Sequence, residues 1–373
     1  MTISFVTHDT YFDNLFSLYI IIMKIRTILL LVISIIVVTA CQKGIDTPPV
    51  EFPQQLGKGM YIVNQGNYTV GNASLSFYRY DSAKMIPNVF YERNGIPLGD
   101  VAQSMTFWRT YAFIVVNNSG TIWTINTGTG KIVAKLGGLT SPRYIQVIDA
   151  EKAYVSDLYN KGITVFNPQT MSPVGSIATG KSTEHLLLFN NKVFAANWSS
   201  YNQTAPNNTV QIIDAGLDRL TDSIVVAKEP NSMVLDKHKK LWVLCSGGFL
   251  NEEIPALFRI DATTHLIEKR FNFPSLTMSP DQLKINKGGD TLYFLNQGVF
   301  RMPVSSSALP EQPFITQQHR NFYALFIEQA TGRVHVTDAG NYMQSGYVFR
   351  YQPDGMLIDS LRVGVIPGFI GFN

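Results

Sequence analysis

The histidines downstream of residue 41 are His185, His238, His265, His319 and His335, and they show no His-x-His or His-Glu-x-x-His spacing that would gather a metal. No Gly-x-Ser-x-Gly stretch offers a nucleophile elbow. His185 follows Glu184 directly at the head of an apolar strand, and a lone pair of this kind is a weak acid-base couple. Cys245 lies beside Trp242 in an apolar run, where a thiol behaves as a small hydrophobe rather than a nucleophile. These residue types set up no catalytic centre, no metal site and no resident cofactor. A function in binding is expected.

The other cysteine has a different context. In MKIRTILLLVISIIVVTACQKG, residues 23–44, a basic start precedes an apolar run from Ile28 to Val38 and then small residues before Cys41. This order resembles a bacterial lipoprotein signal, with Val38-Thr39-Ala40-Cys41 matching the lipobox. The resemblance implies cleavage before Cys41 and acylation of that residue. An apolar run this short suits a signal better than a spanning helix, which needs about 20 apolar residues. Met23 then reads as the start, residues 1–40 as an upstream extension plus removed signal, and the polar, Pro/Gly-rich residues 41–57 as a flexible tether.

Composition narrows the partners. The 373 residues are 45% hydrophobic, 12% aromatic and 15% charged with a net charge of +3, and Lys24 and Arg26 form the only basic flank. Nucleic acid is therefore not an expected partner. Two cysteines cannot build a disulfide framework.

The elements that must position any binding residues follow from a repeat. A tetrad of an aromatic or apolar residue, two apolar or small residues and a final Asn or Asp recurs as Tyr61–Asn64, Ile114–Asn117, Tyr154–Asp157, Phe194–Asn197, Tyr293–Asn296 and His335–Asp338, with Trp242–Cys245 as a variant. The tetrads end 40 to 53 residues apart, which is the period of a four-stranded propeller blade with variable loops. Each is followed by an alternating strand and a polar turn, as in TIWTINTGTGKIVAKL, and preceded by a shorter apolar strand, as in EPNSMVLD. No amphipathic helix is expected between them. The first tetrad has no inner strand before it, whereas VIPGFIGF at residues 365–372 has no strands after it. The sequence thus predicts an all-β fold over residues 58–373, a seven-bladed β-propeller closed by pairing of the N- and C-terminal strands. Closure removes the exposed sheet edges of an open array.

These tetrads resemble the repeats of the YVTN-type β-propellers. The opening MYIVNQGNYTVGNASLSFY, followed by NVFYERNGIPLGDVAQSM and preceded by a lipobox, is similar to surface propeller lipoproteins of gut-type Gram-negative bacteria. Some members of that group capture cobalamin (vitamin B12) for a TonB-dependent outer-membrane transporter. The resemblance implies a lipid-anchored protein at the outer membrane, facing the cell surface. The residues after Cys41, QKGID, lack the acidic cluster associated with surface export in that group. Propellers serve many functions, so the repeat identifies the fold and not the ligand.

Links from strand two to three, and from strand four to the next blade, share one face around the channel. The long ones carry Tyr68, Tyr91, Trp198, Tyr201, Phe249 and Tyr342 among polar residues such as Asn72, Arg93, Asn202 and Gln344. Arg143, Asn231 and Asp281 open inner strands, and Asp157 ends a tetrad. Amphipathic rings among amides suit a broad ligand bearing flat surface and many amides; a corrin fits, as do a glycan or a protein. The Asn/Asp tetrad ends either terminate strands through local backbone bonds or offer oxygens to a cation, and the structural role is the commoner one. Three readings remain: a capture protein for a bulky ligand with cobalamin first, a protein- or glycan-binding scaffold, and a propeller hydrolase or lactonase.

Overall fold

A computed structural model of the protein describes residues 18–27, 55–199 and 207–373. The chain divides into two units, Met1–Pro53 and Gln54–Asn373. In the first, residues 18–27 are helical. Among the described residues no helix is long and apolar enough to cross a membrane. The apolar run from Ile28, the lipobox with Cys41 and most of the tether lie outside the described residues.

The second unit is a seven-bladed β-propeller, each blade a four-stranded antiparallel sheet. The strand pairing of the first blade is Pro367–Phe372, Gly59–Asn64, Ser74–Arg79, Lys84–Ile86, so the last strand of the chain is the inner strand of the first blade. Met60 opposes Phe372, Ile62 opposes Ile370 and Val63 opposes Phe369. Each inner strand touches those of its two neighbours, and Pro367–Phe372 touches both Ala102–Trp108 of blade two and Phe322–Ile327 of blade seven. The ring is closed, as the tetrad pattern predicts.

Burial follows distance from the axis. The second strands Gly59–Asn64 and Ala153–Asp157 are buried at every residue, because a neighbouring blade covers each face. The outer strand Ser172–Ala178 buries only Ile177. The apolar cores lie between consecutive blades: Phe194, Ile212, Leu241 and Phe258 join blades four and five, and Trp242, Phe271, Leu292 and Phe294 join five and six. Each such side chain contributes about 1.5–3 kcal/mol on burial. At the seam between blades one and two, a Cβ on Gly371 would lie 2.2 Å from the Phe107 ring, so only glycine allows the closing strand to approach.

Two local features depart from the regular pattern. The link after blade one contains a short helix, Val89–Asn94, where no helix is expected. Strand four of that blade is only three residues long, and the helix covers the surface it leaves, burying Val89 and Phe90. Leu56, at the end of the stretch read as tether, is fully buried and donates its amide to the Gly128 carbonyl at 2.6 Å. Inner strands also carry bulges near their starts, between Ala102 and Ser104, Pro142 and Ile145, Pro230 and Ser232, Asp281 and Lys284, and Phe322 and Leu325. A bulge inserts a residue and re-aims the side chains beside it.

Candidate functional site

The inner-strand starts and the adjoining loops converge on a depression of about 490 Å³ at one mouth of the channel. Every blade contributes: Gln65 from the first, Gln103 from the second, Arg143 and Tyr144 from the third, Glu184 and Trp198 from the fourth, Asn231 and Phe249 from the fifth, Asp281 from the sixth and Tyr323 from the seventh. The volume lies within the range of about 300–1,000 Å³ usual for small-molecule sites.

An ion pair organises one side of it. Arg143 donates from Nε to Glu184 Oε2 at 2.6 Å, from Nη2 to Glu184 Oε1 at 2.8 Å and from Nη1 to Gln103 Oε1 at 2.7 Å. This is a two-pronged guanidinium–carboxylate bond extended to a third blade, with planar geometry and high directional specificity. Burial opposes the charge on Arg143, and Glu184 more than compensates, holding it above the usual arginine value. The guanidinium lies 5.5 Å from the Trp198 ring centre, and Trp198 meets Phe249 at 5.2 Å with their planes at 61°. Trp198 is placed by its backbone. Its carbonyl accepts from Ser182 Oγ at 2.8 Å, and Ser199 binds the buried Glu229 carboxylate through its amide at 2.7 Å and through its hydroxyl.

On the other side Tyr323 donates to Gln65 Oε1 at 2.8 Å, and burial pushes its phenol up to about 12. Burial likewise pushes Tyr144 up and keeps it neutral. Asp281 is raised by burial, with Lys284 drawing it back down. The mouth is therefore a ring of amides, neutral phenols and one fixed ion pair, edged by two aromatic planes.

Of the residues expected at the site, the structure brings together Arg143, Trp198, Asn231, Phe249 and Asp281. Tyr342 lies on the rim, 6.0 Å from Tyr323 in an edge-to-face contact. Its carbonyl accepts from Asn67 Nδ2 at 2.6 Å, which joins the loop of blade seven to that of blade one carrying the exposed Tyr68. Asn72 and Gln344 are exposed in these same loops, Asn72 accepting the Asn67 amide and Gln344 donating its amide to Asn341. Tyr201 and Asn202 lie outside the described residues.

The structure does not bring Tyr91 and Arg93 to the mouth. Both ride on the helix Val89–Asn94, which is pinned against the blade-two turn by Asn94 Nδ2 to Gly130 O at 3.0 Å and Lys131 Nζ to Arg93 O at 2.6 Å. That turn joins strands three and four and so leaves the sheet on the opposite face. Asp157 is spent structurally: it is buried and accepts from the amides of Ser141, Tyr159 and Asn160. Other tetrad ends do similar work. Asn64 accepts from Gly364, Asn117 donates to Ser141, and Asp338 accepts from Asn321, each tying a second strand to the chain entering an inner strand. Among the described residues no group of three or more His, Cys, Asp or Glu could hold a metal ion. Cys245 is fully buried, and burial pushes its thiol up. His335 is also buried, in the sheet.

Sequence reading missed Gln65, Gln103, Tyr144 and Tyr323 as mouth residues and named Glu184 only as a partner for His185. The bulges explain part of this. Simple alternation sends one of two successive residues to the channel, yet Arg143 and Tyr144 both line the mouth, as do Asp281 and Gln282.

No curated protein matches the chain in sequence. Solved structures do match in fold. A quinonprotein alcohol dehydrogenase-like protein from Bacteroides thetaiotaomicron superposes with a TM-score of 0.66 at 15% identity, over 85% of this chain and 79% of that one. A hypothetical selenium-binding protein from Sulfolobus tokodaii gives 0.64 at 11% identity, over 86% and 94%. The periplasmic gluconolactonase of Pseudomonas aeruginosa gives 0.61 at 12% identity, over 84% and 99%. Identities this low establish a shared propeller fold and no shared activity. Residues 58–352, nearly the whole ring, match the family described as Domain of unknown function (DUF5074), and the chain belongs to that family.

Proposed function

We propose that the channel mouth captures a broad, amide-bearing ligand, with a corrinoid first, and that the protein is a binding protein rather than a catalyst. The observation that carries this reading is the convergence of all seven blades on one depression lined by both amides and aromatic rings. Trp198 and Phe249 offer ring faces at its edge, while the Gln65 amide nitrogen and the Tyr144 hydroxyl offer hydrogen-bond donors. Such a surface matches a flat ligand fringed by amides. A ligand of this breadth rests across the rim, so Tyr342 and Tyr68 extend the contact. In the same proposal Cys41 carries the lipid, the propeller sits at the outer membrane facing the cell exterior, and the ligand passes to a TonB-dependent transporter.

A second reading, docking of a protein, is favoured by the exposed Tyr68, Val70 and Met343 on the joined loops of blades one and seven. Titration of the purified chain with cyanocobalamin, followed by calorimetry and visible absorbance, decides between them. Saturable binding at one site supports capture; absence of binding at millimolar ligand leaves the protein-docking reading ahead.

A further inference from the structure

Beneath the mouth the channel continues into a second chamber of about 350 Å³, which shares Tyr144, Asn231, Gln282 and Gly368 with the depression above. Most of its polar groups are spent on the protein. Gln146 donates to the Val147 carbonyl and accepts from the Leu188 amide; Thr106 donates to the Ile145 carbonyl; Asn231 donates to the Pro280 carbonyl and accepts from Ser232.

Two groups on its wall, Lys284 and Gln282, are not spent on hydrogen bonds or ion pairs with described residues. Lys284 lies with Nζ 5.2 Å from the centre of the Phe326 ring, and among the described residues no carboxylate comes within ion-pair distance of it. His185 packs its ring on Tyr144 at 5.5 Å, and its Nδ1 is enclosed and presents no surface to the chamber. Gln282 is held by a left-handed backbone, φ 57°, at the bulge separating Asp281 from Lys284, and its side chain makes no hydrogen bond to a described residue. Lys284 and Gln282 stand half-buried on the chamber wall, and an ammonium beside an amide with no hydrogen bond to a described residue points to something that accepts.

The acceptor chemistry is narrow. An ammonium repels metal cations, and its pairing with an amide matches a group that carries several lone pairs and a negative charge. The nearby charges do not satisfy Lys284. Glu184 is already held by Arg143, and Asp281 acts on Lys284 only from beyond ion-pair distance. We infer that the chamber binds a small oxyanion, a carboxylate or phosphate group, at Lys284 and Gln282. A free ion and an anionic arm on a ligand seated at the mouth reach the same donors through the shared wall.

The test uses the full chain and inorganic phosphate, with sodium chloride at equal ionic strength as the reference and acetate as a second probe. Wild type should show a saturable rise in melting temperature with phosphate and a matching calorimetric isotherm, since a ligand that binds only the native state stabilises it. Lys284→Met should weaken phosphate binding at least tenfold while melting no lower than wild type, because it removes an unpaired ammonium. At about pH 7.5, where the Asp281 carboxyl has largely lost its proton, Asp281→Asn should tighten phosphate several-fold by removing the negative charge nearest Lys284, and at about pH 6 it should change phosphate binding little. Phosphate and acetate acting no differently from chloride on wild type would overturn the inference, as would Lys284→Met binding phosphate as tightly as wild type. Phosphate at saturation is then added to the cyanocobalamin titration. Competition assigns the chamber to an arm of the mouth ligand, and independent binding assigns it to a free ion. The phosphate titration contains no corrinoid, so it can succeed or fail whatever the mouth binds.

Discussion

Glu184→Gln is the substitution that most directly probes the site's construction. It keeps the shape of the side chain and removes the charge that Arg143 holds in two short bonds. The two side chains are 11% and 6% exposed, so the guanidinium left behind is largely desolvated, with Gln103 Oε1 as its remaining strong acceptor. Breaking a buried pair on one side costs about 3–5 kcal/mol, and a mouth that admits water places this one near about 3. For a ring longer than about 250 residues, at about 2 °C per kcal/mol, the melting temperature should fall by about 6 °C. Differential scanning calorimetry with a urea series measures both quantities. Arg143→Met should cost a similar amount through the orphaned carboxylate. The double variant, which leaves two neutral groups, should cost about 3–4 kcal/mol rather than the additive sum of about 6, giving a coupling of about 2–3 kcal/mol in the cycle. A Glu184→Gln protein that melts within about 1 °C of wild type, with coupling below about 0.5 kcal/mol, would refute the view that this pair is desolvated and organises the mouth.

Trp198→Ala should weaken cyanocobalamin by about 2 kcal/mol, roughly 30-fold in Kd; unchanged affinity with a lowered melting temperature would show that the ring serves only its contacts with Phe249 and Arg143. Deleting residues 365–373 removes the inner strand of blade one and bares the edge at Gly59–Asn64. That truncation should melt earlier and aggregate, and melting like the intact chain would contradict the closure. Burial raises the Asp281 carboxyl to about 7. Between about pH 4 and 7 the unfolded carboxyl is ionised while the folded one keeps its proton, so its contribution to stability is full below about pH 4, falls as pH rises through 7 and is then constant. Asp281→Asn should therefore gain on wild type across that window, and parallel melting profiles of the two proteins would rule this out. Cys41→Ser should abolish incorporation of labelled fatty acid and release the propeller from the membrane fraction; retained labelling would exclude Cys41 as the acylated residue.

The blade count, the tetrads and the closing role of residues 365–372 were legible in the chain because they rest on local patterns. Alternation of apolar residues fixes a strand and its buried face, and a repeat of 40 to 53 residues fixes how many such sheets stack. Ring closure followed because an inner strand was missing at one end and spare at the other. The mouth was only half legible. Arg143, Asn231 and Asp281 could be placed from their position at the head of inner strands, but whether a side chain there meets a ligand or another blade depends on residues 40 or more positions away. Arg143 is bound to Glu184 and Gln103, and Tyr323 to Gln65, across blade boundaries that no local pattern records. The helix that carries Tyr91 and Arg93 to the opposite face covers a strand shortened to three residues, and bulges place both members of the pairs Arg143–Tyr144 and Asp281–Gln282 on the channel, which alternation alone does not predict. Local sequence determined the strands. Only their convergence on the axis decided which polar groups are spent on one another, as Arg143 is on Glu184, and which, like Lys284, make no ion pair with a described residue.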